Sequence, residues 1–261
     1  MFDALYIGAT GMRASQSQVD TIANNVANLN TVGFRRNVVS FSEVSSSVTP
    51  TGTDPILEAA RASLASRGAG ALANVALSMG GGELKPTGEN LDVAIEGAGF
   101  LEVVRADGSP AYTRAGALKL SPEGVLTTQD GSPLASHIEF PPDTQEIVIG
   151  ADGKVSALVG GDRQPVEIGH IDLVTFPNAA GLQAVGSSLF AATAESGAPR
   201  AGAPNEEGRG SLRQGYLEGS NVQLTEELVS MMMAQRSFEL NGRVIQAADQ
   251  MMSIINGLYR T

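Results

Sequence analysis

The C-terminal stretch from Asn221 onward places the tightest constraint on what this chain can fold into. Apolar residues fall at Leu224, Leu228, Met231, Phe238, Ile245, Ala248, Met252, Ile255 and Tyr259. Separations of three, four and seven mark a long amphipathic helix with a heptad stripe. No proline interrupts it, and Gly242 is the only weak helix former of consequence before Gly257. At 1.5 Å per residue the span from Leu224 to Tyr259 runs roughly 54 Å, beyond the ~30 Å width of a small domain. Such a stripe cannot be buried within its own globule. It needs another long helix.

The N-terminal end offers one. Leu5, Met12, Val19, Ile22, Val26 and Leu29 repeat the same spacing between Phe2 and Asn30. Full burial of each large apolar side chain is worth ~1.5–3 kcal/mol. Ordering the backbone costs ~1–2 kcal/mol per residue, so the helices are expected to be marginal alone and firm when packed. Both ends of the chain therefore read as made for assembly.

Charge and composition exclude several classes. With 261 residues and a net charge of −11, no basic patch suits a phosphate backbone, and no nucleic-acid partner is expected. No run approaches the ~20 apolar residues of a membrane span, so no membrane insertion is expected. Residues Met1–Gln16 lack the pattern of a secretory leader and read as helix. Cysteine is absent, which removes disulfides and thiolate metal sites. Abundant glycine, at 31 residues, and only 5% aromatics lean towards an assembly protein over an enzyme.

The first helix ends in Ala23-Asn24-Asn25-Val26-Ala27-Asn28-Leu29-Asn30-Thr31-Val32-Gly33-Phe34-Arg35-Arg36. Asparagine is a poor helix former, so the run either frays, with Asn30 or Gly33 in the left-handed cap conformation, or its amides find partners. For Asn24, Asn25 and Asn28 the expectation is hydrogen bonding across helix contacts, which fixes register. Phe34 is expected to plug the junction. Residues 37–85 read as irregular: Ser42–Thr53 as loop or extended chain, Leu57–Ala65 as a short helix, and Arg67–Gly82 as Gly/Ala-rich chain.

Residues 86–204 read as a small antiparallel β domain. Apolar runs at Leu91–Ile95, Phe100–Val104, Val125–Thr128, Ile147–Ile149, Val155–Val159 and Ile168–Phe176 alternate with Asp107-Gly108, Glu123-Gly124, Asp130-Gly131 and Asp152-Gly153, which are hairpin signals. Residues 205–220 read as a linker to the second helix, whose N-cap is Ser220, Asn221 or Thr225 ahead of Glu226 and Glu227. The predicted fold class is α+β, with coiled-coil-like terminal helices, a central β domain and an extended irregular insertion.

Chemistry is hard to find. His137 and His170 are far apart, and no further residues suggest a metal site. Gly97-Ala98-Gly99 has Glu102 where a dinucleotide fingerprint needs its third glycine, and Gly80-Gly81-Gly82 lacks the Gly-Lys-Ser/Thr of a phosphate loop. Gly186-Ser187-Ser188 lacks the trailing glycine of a nucleophile elbow. No catalytic, cofactor or metal residues are therefore expected. Met231-Met232-Met233 suits either core packing or an adaptable surface, and Arg236 and Glu239 either an interhelical contact or a solvated pair.

The Ala23–Arg36 run resembles the N-terminal signature of the bacterial flagellar rod and hook family, carried by Asn24, Asn25, Asn28, Asn30, Gly33 and Phe34. Asn90–Phe100 and Ala111–Gly116 are similar to its central motif. Gln214–Val222 and the Gln235, Arg236 and Glu239 of Gln235–Glu239 are similar to its C-terminal one. The resemblance implies a helical homopolymer whose N-terminal (1–36) and C-terminal (221–261) helices line an inner tube. The β domain then forms an outer layer, and 37–85 reaches neighbouring subunits. Length, the Ile168–Pro199 segment and the Gln-Gly-Tyr stretch resemble the distal-rod branch most, with the proximal-rod branch as alternative. Implied partners are other rod proteins, the hook protein, the P- and L-rings and the flagellar export apparatus, in a shaft crossing the periplasm and outer membrane. From a different class, a soluble coiled-coil adaptor would also use such helices.

Overall fold

A computed structural model describes residues 2–44, 69–160 and 164–258. The fold is α+β, with one long helix near each end and an antiparallel β region between them. The chain divides into two compact units. One holds residues 1–26, 37–76 and 223–261, and the other residues 27–36 and 77–222.

The first unit contains helix α1 (Phe2–Ala27), helix α2 (Leu224–Leu258) and a ribbon of strands β1 (Asn37–Val44) and β2 (Ala69–Leu77). The helices run antiparallel: contacts pair Gly8 with Ile245, Gly11 with Asn241, Ser15 with Ser237 and Asn25 with Glu227. Two glycines bring the backbones close, since a Cβ on Gly8 would lie 2.7 Å from Ile245 Cγ1 and one on Gly11 2.8 Å from Asn241 Nδ2. Glycine weakens a helix interior by roughly 0.5–1 kcal/mol, and here that loss accompanies tighter packing.

The ribbon departs from the irregular conformation expected for 37–85. Asn37–Val44 carries Val38, Val39, Phe41 and Val44, β-branched and aromatic residues suited to a strand. The Gly/Ala-rich β2 has weak strand propensity of its own and is set by pairing with β1. The helix expected at Leu57–Ala65 lies outside the described residues.

The second unit has two larger sheets and three small pairs. The six-stranded sheet comprises β5 (Phe100–Val104), β6 (Pro110–Thr113), β12 (Leu173–Thr175), β13 (Gln183–Gly186), β14 (Leu189–Ala191) and β15 (Arg200–Gly202), in the order β13-β14-β6-β5-β12-β15. The three-stranded sheet is β11-β10-β9, from β9 (Thr144–Ile149), β10 (Lys154–Val159) and β11 (Val166–His170). The pairs are β3 (Leu84–Pro86) with β17 (Tyr216–Glu218), β4 (Val93–Glu96) with β16 (Ser211–Gln214), and β7 (Leu118–Leu120) with β8 (Leu126–Thr128). Gly108, Gly124, Gly131 and Gly153 take positive φ in the turns that their Xaa-Gly signals indicated.

One apolar cluster gathers Val93, Ile95, Leu101, Leu126, Ile138, Val155, Leu173 and Leu212. A second stacks Phe100, Tyr112, Val174, Leu182 and Phe190. The Ile168–Phe176 run is two strands, split at the buried Ile171, and they join different sheets. Residues 205–220, expected as a linker, hold β16 and β17. Gly and Pro nearby suggested loop, but Leu212 is a core residue and Tyr216, Leu217 and Glu218 pair with Pro86, Lys85 and Leu84.

Candidate functional site

In the second unit, the signature leaves α1 through a compact turn. Thr31 N and Thr31 Oγ1 donate to Asn28 O and Asn28 Oδ1, each at 3.1 Å. The left-handed position falls to Gly33, with φ of +67°, and not to Asn30. Gly33 N donates to Glu218 O at 2.8 Å, and a Cβ there would lie 2.5 Å from Ala115 N. Backbone crosses backbone at this point, so only glycine fits.

The two residues after Phe34, which is half-buried, tie the turn down. Arg35 is buried, and its Nη2 donates to Glu218 Oε1 at 2.7 Å. Arg114 Nη1 reaches Glu218 Oε2 at 3.1 Å, its Nε donates to Gly99 O at 2.8 Å, and its Nη2 donates to Gly97 O. Gly82 N adds a bond to Glu218 Oε1 at 2.8 Å. Burial holds the Arg114 guanidinium below its ordinary value; Glu218 opposes this shift and the Arg35 charge adds to it.

Arg36 N donates to Asn221 Oδ1 at 2.7 Å, while Asn221 Nδ2 donates to Ser78 O and Gly80 O, each at 2.9 Å. Ser188 Oγ donates to Val32 O at 3.2 Å. Segments near 78–82, 114, 188 and 218–221 thus converge on residues 31–36. Arg35, Arg114 and Glu218 stand in three separate motifs of the sequence, and no local spacing links them. Three charged residues embedded in apolar or glycine-rich motifs were the available signal.

In the first unit, Asn25 is fully buried. Its Nδ2 donates to Asn37 O at 2.8 Å and to Glu227 Oε2 at 3.3 Å, and its Oδ1 accepts from Asn37 N at 2.9 Å. One amide therefore copies a strand-like pair of bonds to the first residue of β1 while reaching across to α2. Asn24 and Asn30 are exposed, and Asn28 and Leu29 are half-buried.

Of the helix residues singled out by spacing, Ile22 is buried, and Leu5, Met12, Val19 and Val26 are half-buried. On α2, Met231, Ile245, Met252 and Ile255 are half-buried. They follow a seam that also includes Glu227, Ala234, Asn241 and Ala248. Leu224, Leu228 and Phe238 are exposed, as are Gln235, Arg236 and Glu239. Tyr259 lies outside the described residues.

A second apolar stripe runs along α2, outside the heptad positions that the spacing predicts. Met233, Leu240, Val244, Met251 and Ile254 are separated by seven, four, seven and three, and they are 65%, 61%, 49%, 52% and 65% exposed. At 3.6 residues per turn this stripe lies about a third of a turn from the α1 seam. With Leu224, Leu228 and Met232 also exposed, α2 is apolar on several sides. Exposed apolar stripes of this kind mark interaction surfaces. Within the unit, α1 covers only one of those sides.

His137 is exposed and His170 half-buried, in separate places, and no group of three potential metal ligands occurs among the described residues. In the second unit, a cavity of about 480 Å³ is lined by Phe100, Phe176, Arg114 and Glu218 among others. Arg114 and Glu218 there are bonded to each other, and Glu96 at its edge pairs with Arg213 at 3.6 Å.

Three family models match in order along the chain: flagella basal body rod protein over residues 5–35, the flagellar hook protein FlgE/F/G D1 domain over 94–157, and the flagellar basal body rod FlgEFG protein C-terminal over 213–258. The flagellar basal-body rod protein FlgG of Borreliella burgdorferi is 40% identical, with 100% of both chains covered. That of Agrobacterium fabrum is 38% identical over 97% of this chain and 98% of its own. The rod protein FlgF of Caulobacter vibrioides is 30% identical over 92% of this chain and 90% of its own.

Proposed function

This chain belongs to the flagellar basal-body rod and hook family, and from that premise we propose that it works by building itself into the distal rod. It is a structural subunit of that rod and not an enzyme. Its higher identity to FlgG than to FlgF relatives favours the distal over the proximal rod. Membership implies assembly with other flagellar rod and hook proteins.

The finer reading is mechanical. Residues 1–36 and 221–261 form a coiled-coil-like inner tube, 86–204 an outer β layer, and 37–85 an arm towards neighbours. Copies add through heterologous contacts whose rotation does not close, giving a hollow helical shaft that transmits torque and carries export substrates. The P- and L-rings and the export apparatus are its further partners, along a path across the periplasm and outer membrane.

The observation that carries this reading is the uncovered second stripe of α2. A closed adaptor dimer would cover such a stripe once, whereas a tube of subunits offers every helix several neighbours. Replacing Leu240 and Met251 by Glu leaves the α1 seam and the second unit untouched. Basal bodies from such a strain should lack full-length rods in electron micrographs, and swimming should be lost, while the purified protein keeps its β spectrum. Normal rods would overturn the reading, and a discrete dimer in sedimentation would favour the adaptor.

A further inference from the structure

The sequence holds two Asn-Gly pairs, and one of them, Asn241-Gly242, sits in the middle of α2. Glycine weakens a helix interior, and at Gly8 and Gly11 close packing explains it. At Gly242 packing within the chain does not, because a Cβ there would meet nothing within 4 Å. The residue before it, Asn241, is half-buried and lies against α1: a Cβ on Gly11 would be 2.8 Å from its Nδ2 and 3.0 Å from its Cγ and Oδ1.

We propose that Asn241-Gly242 is a spontaneous deamidation site, closed while α1 and α2 are paired and open when they separate. Glycine leaves its own backbone nitrogen unhindered. In an opened chain the Gly242 nitrogen attacks Asn241 Cγ, a C–N bond forms and ammonia leaves, giving a cyclic imide. Water then adds to either imide carbonyl, and the ring opens to aspartate or isoaspartate. In the helix the Gly242 N–H is bound to the carbonyl four residues earlier, and the rigid backbone keeps its nitrogen away from Cγ.

The product matters because of where it falls. Deamidation replaces a neutral, half-buried amide by a carboxylate against Gly11, and a carboxylate withdrawn from water is costly. Isoaspartate also inserts an extra backbone carbon and breaks the helix register. A copy that waits too long unpaired is marked as unfit for the helical layer. This consequence, though not the chemistry, rests on the rod reading.

The full-length protein tests the chemistry directly. Trypsin releases Ser237–Arg243, whose amide-to-acid mass gain is followed over time in native buffer and in urea. Conversion in urea should exceed native conversion on the order of tenfold or more, because native reaction requires local opening, and Gly242→Ala should suppress both. Equal rates in the two solvents, or no conversion in urea, would overturn the proposal.

The consequence is read by swimming. Asn241→Asp should lose assembly to a clearly greater extent than Asn241→Ala, which removes the amide without adding charge and leaves only the gap beside Gly11. Normal swimming by Asn241→Asp, or equal loss in both variants, would overturn the marking role. Failure of the rod reading itself would appear separately, as normal rods in the Leu240→Glu/Met251→Glu strain with the mass-gain result unchanged.

Discussion

Arg35 and Glu218, 183 positions apart, meet at 2.7 Å with both side chains closed off from solvent. Arg114 joins them at 3.1 Å, so one carboxylate serves two buried guanidiniums. Removing one member of a buried ionic group typically costs ~3–5 kcal/mol, because the remaining charges are stranded. Glu218→Ala should destabilise the second unit by about that much, measured by urea unfolding followed by circular dichroism. The loss should change little with salt, since buried pairs are weakly screened. A triple replacement, Arg35→Met, Arg114→Met and Glu218→Leu, should lose much less. A fully stable Glu218→Ala protein would contradict the assignment.

Gly33 and Gly88 separate two reasons for glycine. Both have positive φ, +67° and +76°, but a Cβ on Gly88 meets open space while one on Gly33 strikes the backbone of Arg114 and Ala115. Gly88→Ala should cost about 1–2 kcal/mol, the left-handed penalty alone. Gly33→Ala should cost clearly more, because backbone cannot move aside as a side chain can. Thermal melts of the two variants make the comparison, and equal losses would count against the close crossing.

The long helices and the hairpin turns were legible because each announces itself locally. Period-3.6 spacing ran uninterrupted from Leu224, and Asp107-Gly108 and Asp152-Gly153 carry their turn geometry in two residues. What stayed hidden depends on partners distant in sequence. β16 and β17 are strands only because β4 and β3 receive them, and β2 because β1 does. Spacing in one strip of sequence cannot join Arg35, Arg114 and Glu218. The α1 seam was harder still to read. Gly8, Gly11 and Asn241 belong to it, while the more hydrophobic Leu224 and Leu228 do not. Close backbone approach selects members of the seam alongside apolar Ile22, Ala234, Ile245 and Ala248.

The β13–β14 hairpin turns through Ser187 and Ser188, both left-handed at φ of 50° and 55°. Two positive φ values suit Asn-Gly far better than Ser-Ser. Ser187→Asn should therefore stabilise the second unit by about 0.5–1 kcal/mol. Ser188→Gly should gain less, because it forfeits the hydroxyl bond to Val32 O. Melting temperatures below wild type for Ser187→Asn would refute the strain.

Asp107 sets a pH dependence in the β5–β6 turn. Its carboxylate accepts the Ser109 hydroxyl at 2.5 Å and the Ser109 amide at 2.9 Å, and these bonds hold its pKa below the usual aspartate value. A folded pKa depressed below the unfolded one contributes stability that is present above the unfolded value, about 3.9. It is lost as pH falls through the folded one. Carboxyl titration by NMR should give Asp107 a midpoint below the ordinary aspartate value of about 3.9, with the Asp107→Asn spectrum assigning the resonance. Ser109→Ala should raise it.

Gly11 and Asn241 should be energetically coupled because the helices run antiparallel. Gly11→Ala gains helix propensity but pushes its methyl to 2.8 Å from Asn241 Nδ2, so the single change should be near neutral. Asn241→Ala alone leaves a gap beside Gly11 and should destabilise. In the double variant the new methyl occupies the space that the amide vacates. Its stability should therefore exceed the sum of the single effects by roughly 0.5 kcal/mol or more, the size expected for residues in contact. Helical circular dichroism during thermal melting of the four proteins completes the cycle. Were the helices parallel, or paired only between copies in another register, positions 11 and 241 would lie far apart. Their effects would then add within about 0.5 kcal/mol, and the seam defined by Gly8, Gly11 and Ser15 would have to be abandoned.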